Sequence, residues 1–142
     1  MVSQVPSHAQ VVIIGGGVAG CSVAYHLTRL GWQDVLLLER KSLTSGTTWH
    51  AAGLIGQLRA THNMSGLAQY TAELYAALEK ETGQATGFRQ NGSLSIASEP
   101  ERFEELRRGA SMASCFGLEA EVVSPTEARE LPVSYTHLRA HE

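Results

Sequence analysis

Three glycines and one carboxylate define the chemistry to look for. In "GGGVAG", Gly15, Gly17 and Gly20 stand in the G-x-G-x-x-G pattern, and Glu39 follows 24 positions after Gly15 and 19 after Gly20. The glycine pattern alone is weak; it gains weight where it leaves a strand and opens a helix. In that setting each glycine has a task. Gly15 turns the chain tightly out of the strand, Gly17 lets the backbone approach a pyrophosphate, and Gly20 lets the helix pack on the sheet. The pyrophosphate then rests on the N–H groups at the positive end of the helix. A carboxylate at Glu39 accepts hydrogen bonds from both ribose hydroxyls of an adenosine and repels a 2′-phosphate, which disfavours NADP.

The second stretch with chemical content is "TSGTTWHAAG", Thr44 to Gly53, which begins five residues after Glu39. It therefore falls at the carboxyl edge of the sheet, where dinucleotides lie across the crevice. Gly46, Thr47 and Thr48 offer backbone N–H groups and hydroxyls with little bulk, so a ligand can lie against them. His50 then stands over the part of the ligand beyond the pyrophosphate. Three readings of that histidine are open. It is a packed, hydrogen-bonded loop residue, an acid/base group beside a cofactor, or a nucleophile bonded to the cofactor, since a neutral imidazole can attack an electrophilic methyl carbon on a flavin ring. Trp49 reads as a packing residue that orients the loop. FAD and NAD are likewise both open, because they share the adenosine diphosphate half; a fingerprint at the extreme N-terminus leans towards FAD.

The elements that must position these residues are legible from hydrophobic pattern. "VVIIG", Val11 to Gly15, is a continuous β-branched run, as expected of a buried parallel strand. From Val18 to Leu30 the apolar positions Val23, Ala24, Leu27 and Leu30 recur at helical spacing, with Ala24 and Leu27 facing the sheet, and Gly31 stops the helix. "DVLLLE", Asp34 to Glu39, is a second buried strand. Strand, helix and strand within about 30 residues make a βαβ unit with parallel strands and a right-handed crossover. Lys41 to Gly53 reads as a loop. Leu67, Tyr70, Leu74, Tyr75 and Leu78 mark one stripe of an amphipathic helix over Ser65–Thr82, ended by Gly83. "GSLSIAS" alternates Leu94 and Ile96 like a half-buried strand. Ser98 and Glu101, with Pro100 between, announce a helix to about Phe116, and Ser124, Pro125 and Glu127 a short one through Leu131.

The fold class expected is α/β: the N-terminal part of a Rossmann-like dinucleotide-binding domain, followed by helices and the start of a substrate or cap domain. Residues 1–10 form a flexible leader, 11–64 the βαβ unit and cofactor loop, and 65–131 the helical segment with the start of a second sheet. Residues 132–142, "PVSYTHLRAHE", show no period and no stop signal after Pro132. They are expected to be junction or adaptor sequence at the end of a truncated reading frame rather than native continuation.

Composition excludes several classes. The chain has 142 residues, is 43% hydrophobic and carries a formal charge of −3, which suits one ordinary globular domain. Its basic residues do not cluster, so neither nucleic acid nor an anionic membrane is called for. No apolar run approaches the ~20 residues of a membrane span. Cys21 and Cys115 lie far apart without metal spacing, which fits a reducing compartment; each reads as a small buried apolar residue. The leader lacks the features of a secretion signal or transit peptide, so a cytoplasmic location is expected, or the mitochondrial matrix if the true start lies upstream.

"VVIIGGGVAGCSVAYHLTRLGWQDVLLLER", "LTSGTTWHAAGL" and "YTAELYAALEKETGQATGFRQNGSLSIA" together resemble the N-terminal FAD domain of the dimethylglycine dehydrogenase and sarcosine dehydrogenase family, within the D-amino-acid-oxidase-like superfamily. The resemblance covers Val11 to about Leu131. The glycine motif is shared by many flavoproteins; S-G-T-T-W-H-A-A-G is far more specific. Beside the fingerprint residues Gly15, Gly17 and Gly20, the resemblance implies FAD contacts at Val18, Ala19, Glu39 and Arg40, and along Gly46 to Leu54, including Thr47 and Thr48. It implies a covalent bond from His50 to the flavin 8α carbon, and oxidation of the N-methyl group of a small amine such as dimethylglycine or sarcosine. An electron-transfer flavoprotein or oxygen would be the acceptor, with a folate-binding domain further along the chain. Arg59 and His62 receive no role, and the residues that hold substrate are expected outside this sequence. Two other readings go with the resemblance: a noncovalent FAD amine or amino-acid oxidase of the same superfamily, and a non-catalytic regulatory homologue such as a phosphatase regulatory subunit.

Overall fold

The computed structural model describes residues 5–131; the expected non-native tail lies outside them. The chain forms two compact units, divided between Leu54 and Ile55.

The first unit is the βαβ element. Strand β1 (Val11–Ile14) and strand β2 (Val35–Leu38) pair in parallel, with Val11 opposite Val35 and Ile14 opposite Leu38. Helix α1 (Val18–Arg29) connects them. Its end is fixed by backbone geometry: Gly31 takes φ +94°, and the N–H groups of Gly31 and Trp32 reach back to the carbonyls of Thr28 and Leu27 at 3.0 and 3.1 Å. Those two bonds are a Schellman ending, which needs a residue without Cβ at the left-handed position. The start of β2 is tied to the leader by the Gln10 N–H, which donates to Asp34 Oδ2 at 3.0 Å.

Burial in this unit corrects part of the sequence reading. Ala24 and Leu27 are half-buried, but Val23 and Leu30 are exposed. The strands, expected to be buried, are half-covered. Ile13 lies beside α1, whereas its neighbours Val12 and Ile14 are exposed, Ile14 to 87%. Successive strand side chains point to opposite faces, and α1 covers only one of them.

The second unit holds helices α2 (His62–Thr82), α3 (Pro100–Cys115) and α4 (Pro125–Glu130). Helix α2 starts three residues before the expected Ser65, because Thr61 caps it: its hydroxyl accepts the Met64 N–H at 3.3 Å. Ser65 is instead fully buried, accepting the Arg59 N–H at 2.9 Å and donating to the Arg59 carbonyl at 3.2 Å. Of the expected stripe, Leu74, Tyr75 and Leu78 are half-buried, while Leu67 and Tyr70 are exposed. The α2 amide of Gln69 donates to the Phe116 carbonyl at 3.1 Å, and the His62 and Phe116 rings meet edge-on at 5.3 Å.

The two capping signals fare differently. Ser124 and Glu127 form the reciprocal box expected of them. Ser98 does not: α3 is capped by the backbone of Glu99, with Pro100 opening the first turn and no side-chain bond at the cap. The "GSLSIAS" segment forms no strand. A strand needs a neighbour to take its backbone N–H and C=O groups, and the only strand pair among the described residues is β1–β2. Cys21 is half-buried, but Cys115 is exposed at the end of α3, against the expectation that both are buried.

Candidate cofactor site

The glycine turn between β1 and α1 is built as the fingerprint requires. Gly15 continues the ladder, its N–H donating to the Leu38 carbonyl at 2.8 Å, and then turns with φ +107°, a conformation that favours glycine. Gly20 has no room for a side chain: a Cβ there would run into the Gly15 carbonyl oxygen, with Gly15 C at 3.1 Å and Ile13 Cγ2 at 3.3 Å. Close approach of α1 to β1 thus depends on this residue.

Gly16 has a role that the spacing did not reveal. It is the buried member of the turn, and its N–H donates to Glu39 Oε2 at 2.8 Å. The other carboxylate oxygen, Oε1, accepts the Lys41 N–H at 2.9 Å. Glu39 therefore clamps the turn after β1 to the end of β2. The Gly16 N–H, and after it the Lys41 N–H, hold the Glu39 carboxyl below the usual carboxylate range; desolvation opposes them, and the backbone and charge of Arg40 add smaller pulls. Glu39 is thus ionised at neutral pH. Each of its oxygens, having accepted one N–H, keeps a lone pair for a further donor.

Beyond the turn lies a cleft of about 520 Å³, lined by Gly17, Val18, Ala19, Glu39, Arg40, Lys41, Ser45, Gly46, Thr47, Thr48 and Ala51. Helix α1 starts at Val18, so the N–H groups of its first turn, those of Ala19 and Gly20 included, have no carbonyl one turn back to bond. These positive N–H groups, with Arg40 and Lys41 on the wall, suit phosphate oxygens. The Glu39 carboxylate suits hydroxyl donors instead. The lining thus offers N–H donors and cations for phosphates and a carboxylate acceptor for hydroxyls, the set an adenosine diphosphate group requires, so the residues present fit a dinucleotide.

The loop after β2 is less simple than its sequence suggests. Thr47–His50 form one short 3-10 turn, closed by the Ala51 N–H on the Thr48 carbonyl at 3.2 Å. Thr44 takes φ +63°, the one described non-glycine residue with positive φ, and its N–H bonds the Gly16 carbonyl at 2.8 Å. Nothing in the pattern of "TSGTTWHAAG" signalled that conformation, since threonine is a poor choice for it. His50 belongs to the turn but does not line the cleft, and both it and Leu54 are exposed. Trp49 is not the packing residue expected. It is 71% exposed, and its ring meets that of His50 at 4.9 Å, tilted by 54°. Arg59 and His62 belong to the second unit.

Residues 10–140 match the family of FAD dependent oxidoreductases (DAO). The chain belongs to this family. Within it, the chain is 48% identical over 127 residues to human mitochondrial sarcosine dehydrogenase and 42% identical over 123 residues to mitochondrial dimethylglycine dehydrogenase of Rattus norvegicus. It is also 43% identical over 126 residues to the mitochondrial pyruvate dehydrogenase phosphatase regulatory subunit of Mus musculus. These matches take in 87–89% of the chain but only 14% of each relative, so the chain spans about one seventh of their length. Among solved structures, L-amino acid deaminase from Proteus vulgaris superposes with a TM-score of 0.78 at 16% identity, over 92% of this chain and 31% of that one. At that identity the likeness is one of fold, and it agrees with the Rossmann-like βαβ start described above.

Proposed function

We propose that this chain is the adenosine-diphosphate-holding part of an FAD-dependent enzyme that oxidises the N-methyl group of a small secondary or tertiary amine, with dimethylglycine and sarcosine as the first substrates to test. The observation that carries the reading is the S-G-T-T-W-H segment, whose Ser45, Gly46, Thr47 and Thr48 line the same cleft as Gly17 and Glu39, in a chain 48% identical over 127 residues to a sarcosine dehydrogenase. Bound FAD supplies the hydride acceptor for the N-methyl carbon. The chain's own residues bind and place it. Glu39 takes the ribose hydroxyls on the free lone pairs of its two oxygens. The N–H groups of Ala19 and Gly20 take the phosphates, with Gly15 and Gly17 shaping the approach and Arg40 adding charge. Gly46, Thr47 and Thr48 form the wall along which the cofactor continues, and Leu54 ends that segment.

His50, two residues beyond this wall, is the tether, bonded through an imidazole nitrogen to the flavin. The acceptor for the electrons is an electron-transfer flavoprotein or oxygen. Folate would be bound only by sequence beyond this segment. The mammalian relatives are mitochondrial proteins, which keeps the matrix beside the cytoplasm as the compartment to test. Among the described residues no helix is long and apolar enough to cross a membrane.

The test is acid denaturation of the full-length protein, wild type against His50→Ala. Flavin absorbance that stays with precipitated wild type and leaves the variant is the expected result. Flavin released from wild type by acid removes the tether and favours a noncovalent amine oxidase. A second reading, a regulatory protein without turnover, is supported by the 43% identity to a phosphatase regulatory subunit. Absence of any flavin reduction by N-methylated glycines under anaerobic conditions would favour it.

A further inference from the structure

Thr48 lines the cleft, but its hydroxyl already has a task inside the protein: it accepts the Val18 N–H at 2.9 Å, at the first residue of α1. A first-turn N–H is ordinarily satisfied by the side chain of the local N-cap. The N-cap of α1 is Gly17, which has no side chain, and the oxygen comes instead from a residue 30 positions along the chain. Glycine at 17 leaves the hydroxyl its place: a Cβ there would stand 3.1 Å from Thr48 Oγ1 and would press it aside by a few tenths of an ångström. A second tie lies four residues earlier, where the Thr44 N–H bonds the Gly16 carbonyl at 2.8 Å with Thr44 held at φ +63°. Thr44–Thr48 is thus pinned to the glycine turn at both ends. His50 follows Thr48 by two residues within the same 3-10 turn, and the Ala51 N–H on the Thr48 carbonyl closes that turn. The position of His50 relative to the first turn of α1 is therefore set through Thr48.

We propose that Thr48 is a positioning residue: its hydroxyl, held by the Val18 N–H, fixes the turn that carries His50 against the N-terminus of α1. This rests on the reading of His50 as the flavin tether. It assigns Thr48 a role that acts through Val18 and the backbone of the turn, not through the reacting atoms. The side-chain oxygen is the active feature, so Thr48→Val, which keeps the shape, removes it, and Thr48→Ser, which loses only the methyl group, keeps it.

The experiment uses the full-length protein with these two variants and two readouts. The first, independent of flavin, is amide hydrogen exchange of peptides spanning residues 44–51 in the apoprotein. The second is the rate at which added FAD becomes acid-stable on the protein. The expected result is faster exchange in Thr48→Val, with attachment slowed about tenfold or more by the displaced imidazole, and wild-type behaviour in Thr48→Ser. On a His50→Ala background, adding Thr48→Val should weaken FAD binding by clearly less than it slows attachment, since the hydroxyl bonds the Val18 N–H while the backbone and shape of the cleft wall are kept. Unchanged exchange and attachment in Thr48→Val overturn the proposal. So does a dissociation constant weakened as much as attachment, which would make Thr48 a direct ligand of the cofactor. Should wild type release its flavin in acid, the tether reading fails by itself. Exchange then decides Thr48: protection lost in Thr48→Val upholds the latch, and protection retained overturns it.

Discussion

Gly20→Ala and Gly66→Ala are the same chemical change at two helical positions, and the structure gives them opposite signs. On helix propensity alone, each alanine should stabilise by up to about 1 kcal/mol, because glycine pays more backbone entropy in a helix. At Gly66, in α2, an added Cβ would meet no atom within 4 Å beyond the backbone of its own helix, so that gain should be realised nearly in full. Gly20, in the first turn of α1, has the Gly15 carbonyl in the way, with Gly15 C at 3.1 Å and Ile13 Cγ2 at 3.3 Å. Two of these three atoms are backbone and cannot swing aside as a side-chain end would. Overpacking of this kind costs about 1–3 kcal/mol, and a clash with backbone belongs at the upper end. Set against a propensity gain of about 1 kcal/mol, the net loss at Gly20 is about 2 kcal/mol.

The two glycines lie in different compact units. The assay is therefore hydrogen exchange of α1 and α2 peptides across a urea series, which reads each unit separately. With a slope of about 2 kcal/mol per molar urea, α1 in Gly20→Ala should lose protection roughly 1 M earlier than wild type. α2 in Gly66→Ala should lose it later. A Gly20→Ala variant as stable as wild type would refute the argument that α1 sits on the turn by virtue of a missing Cβ.

Two further outcomes follow from the same geometry. The Glu39 carboxyl is held below its usual range by the Gly16 and Lys41 N–H groups, so its stabilising contribution is complete above the ordinary glutamate value of about 4.3 and is lost as pH falls through the lowered value. Glu39→Gln should flatten the acid side of the unit's stability profile and weaken FAD binding at neutral pH, because an amide nitrogen would face one of two backbone donors; an unchanged acid limb would show that the clamp is not formed. Thr44→Asn should stabilise the first unit by about 1 kcal/mol, as asparagine tolerates the left-handed region that threonine avoids, and equal thermal midpoints for Thr44→Asn and wild type would deny the strain.

How much of the fold and the site is legible in the sequence differs from element to element. The order strand, helix, strand comes from local patterns, and so do the stop at Gly31, the capping box at Ser124 and Glu127, and the glycine and carboxylate positions of the cleft. Each rests on contacts close in sequence or on a spacing that one helix and two strands enforce. The "GSLSIAS" segment fails as a strand, and Ser98 fails as a cap. A period-two pattern states a preference but supplies no neighbour to bond. A serine ahead of a proline has no claim on the cap when the next residue already has the extended backbone that opens the helix.

The sequence by itself therefore determined the βαβ unit, its parallel pairing and several of the residues that line the cleft, Gly17, Glu39 and Gly46 among them. Only the tertiary structure decided that Gly16 grips Glu39, that Thr44 stands in a left-handed conformation, and that Thr48 caps a helix 30 residues before it in the chain. It also turned Trp49 outward beside His50. The physical reason is common to the first three. They are hydrogen bonds between the glycine turn and Glu39 or the loop that follows it, 23 to 30 residues apart, and no local preference encodes a partner that arrives only when the sheet has formed.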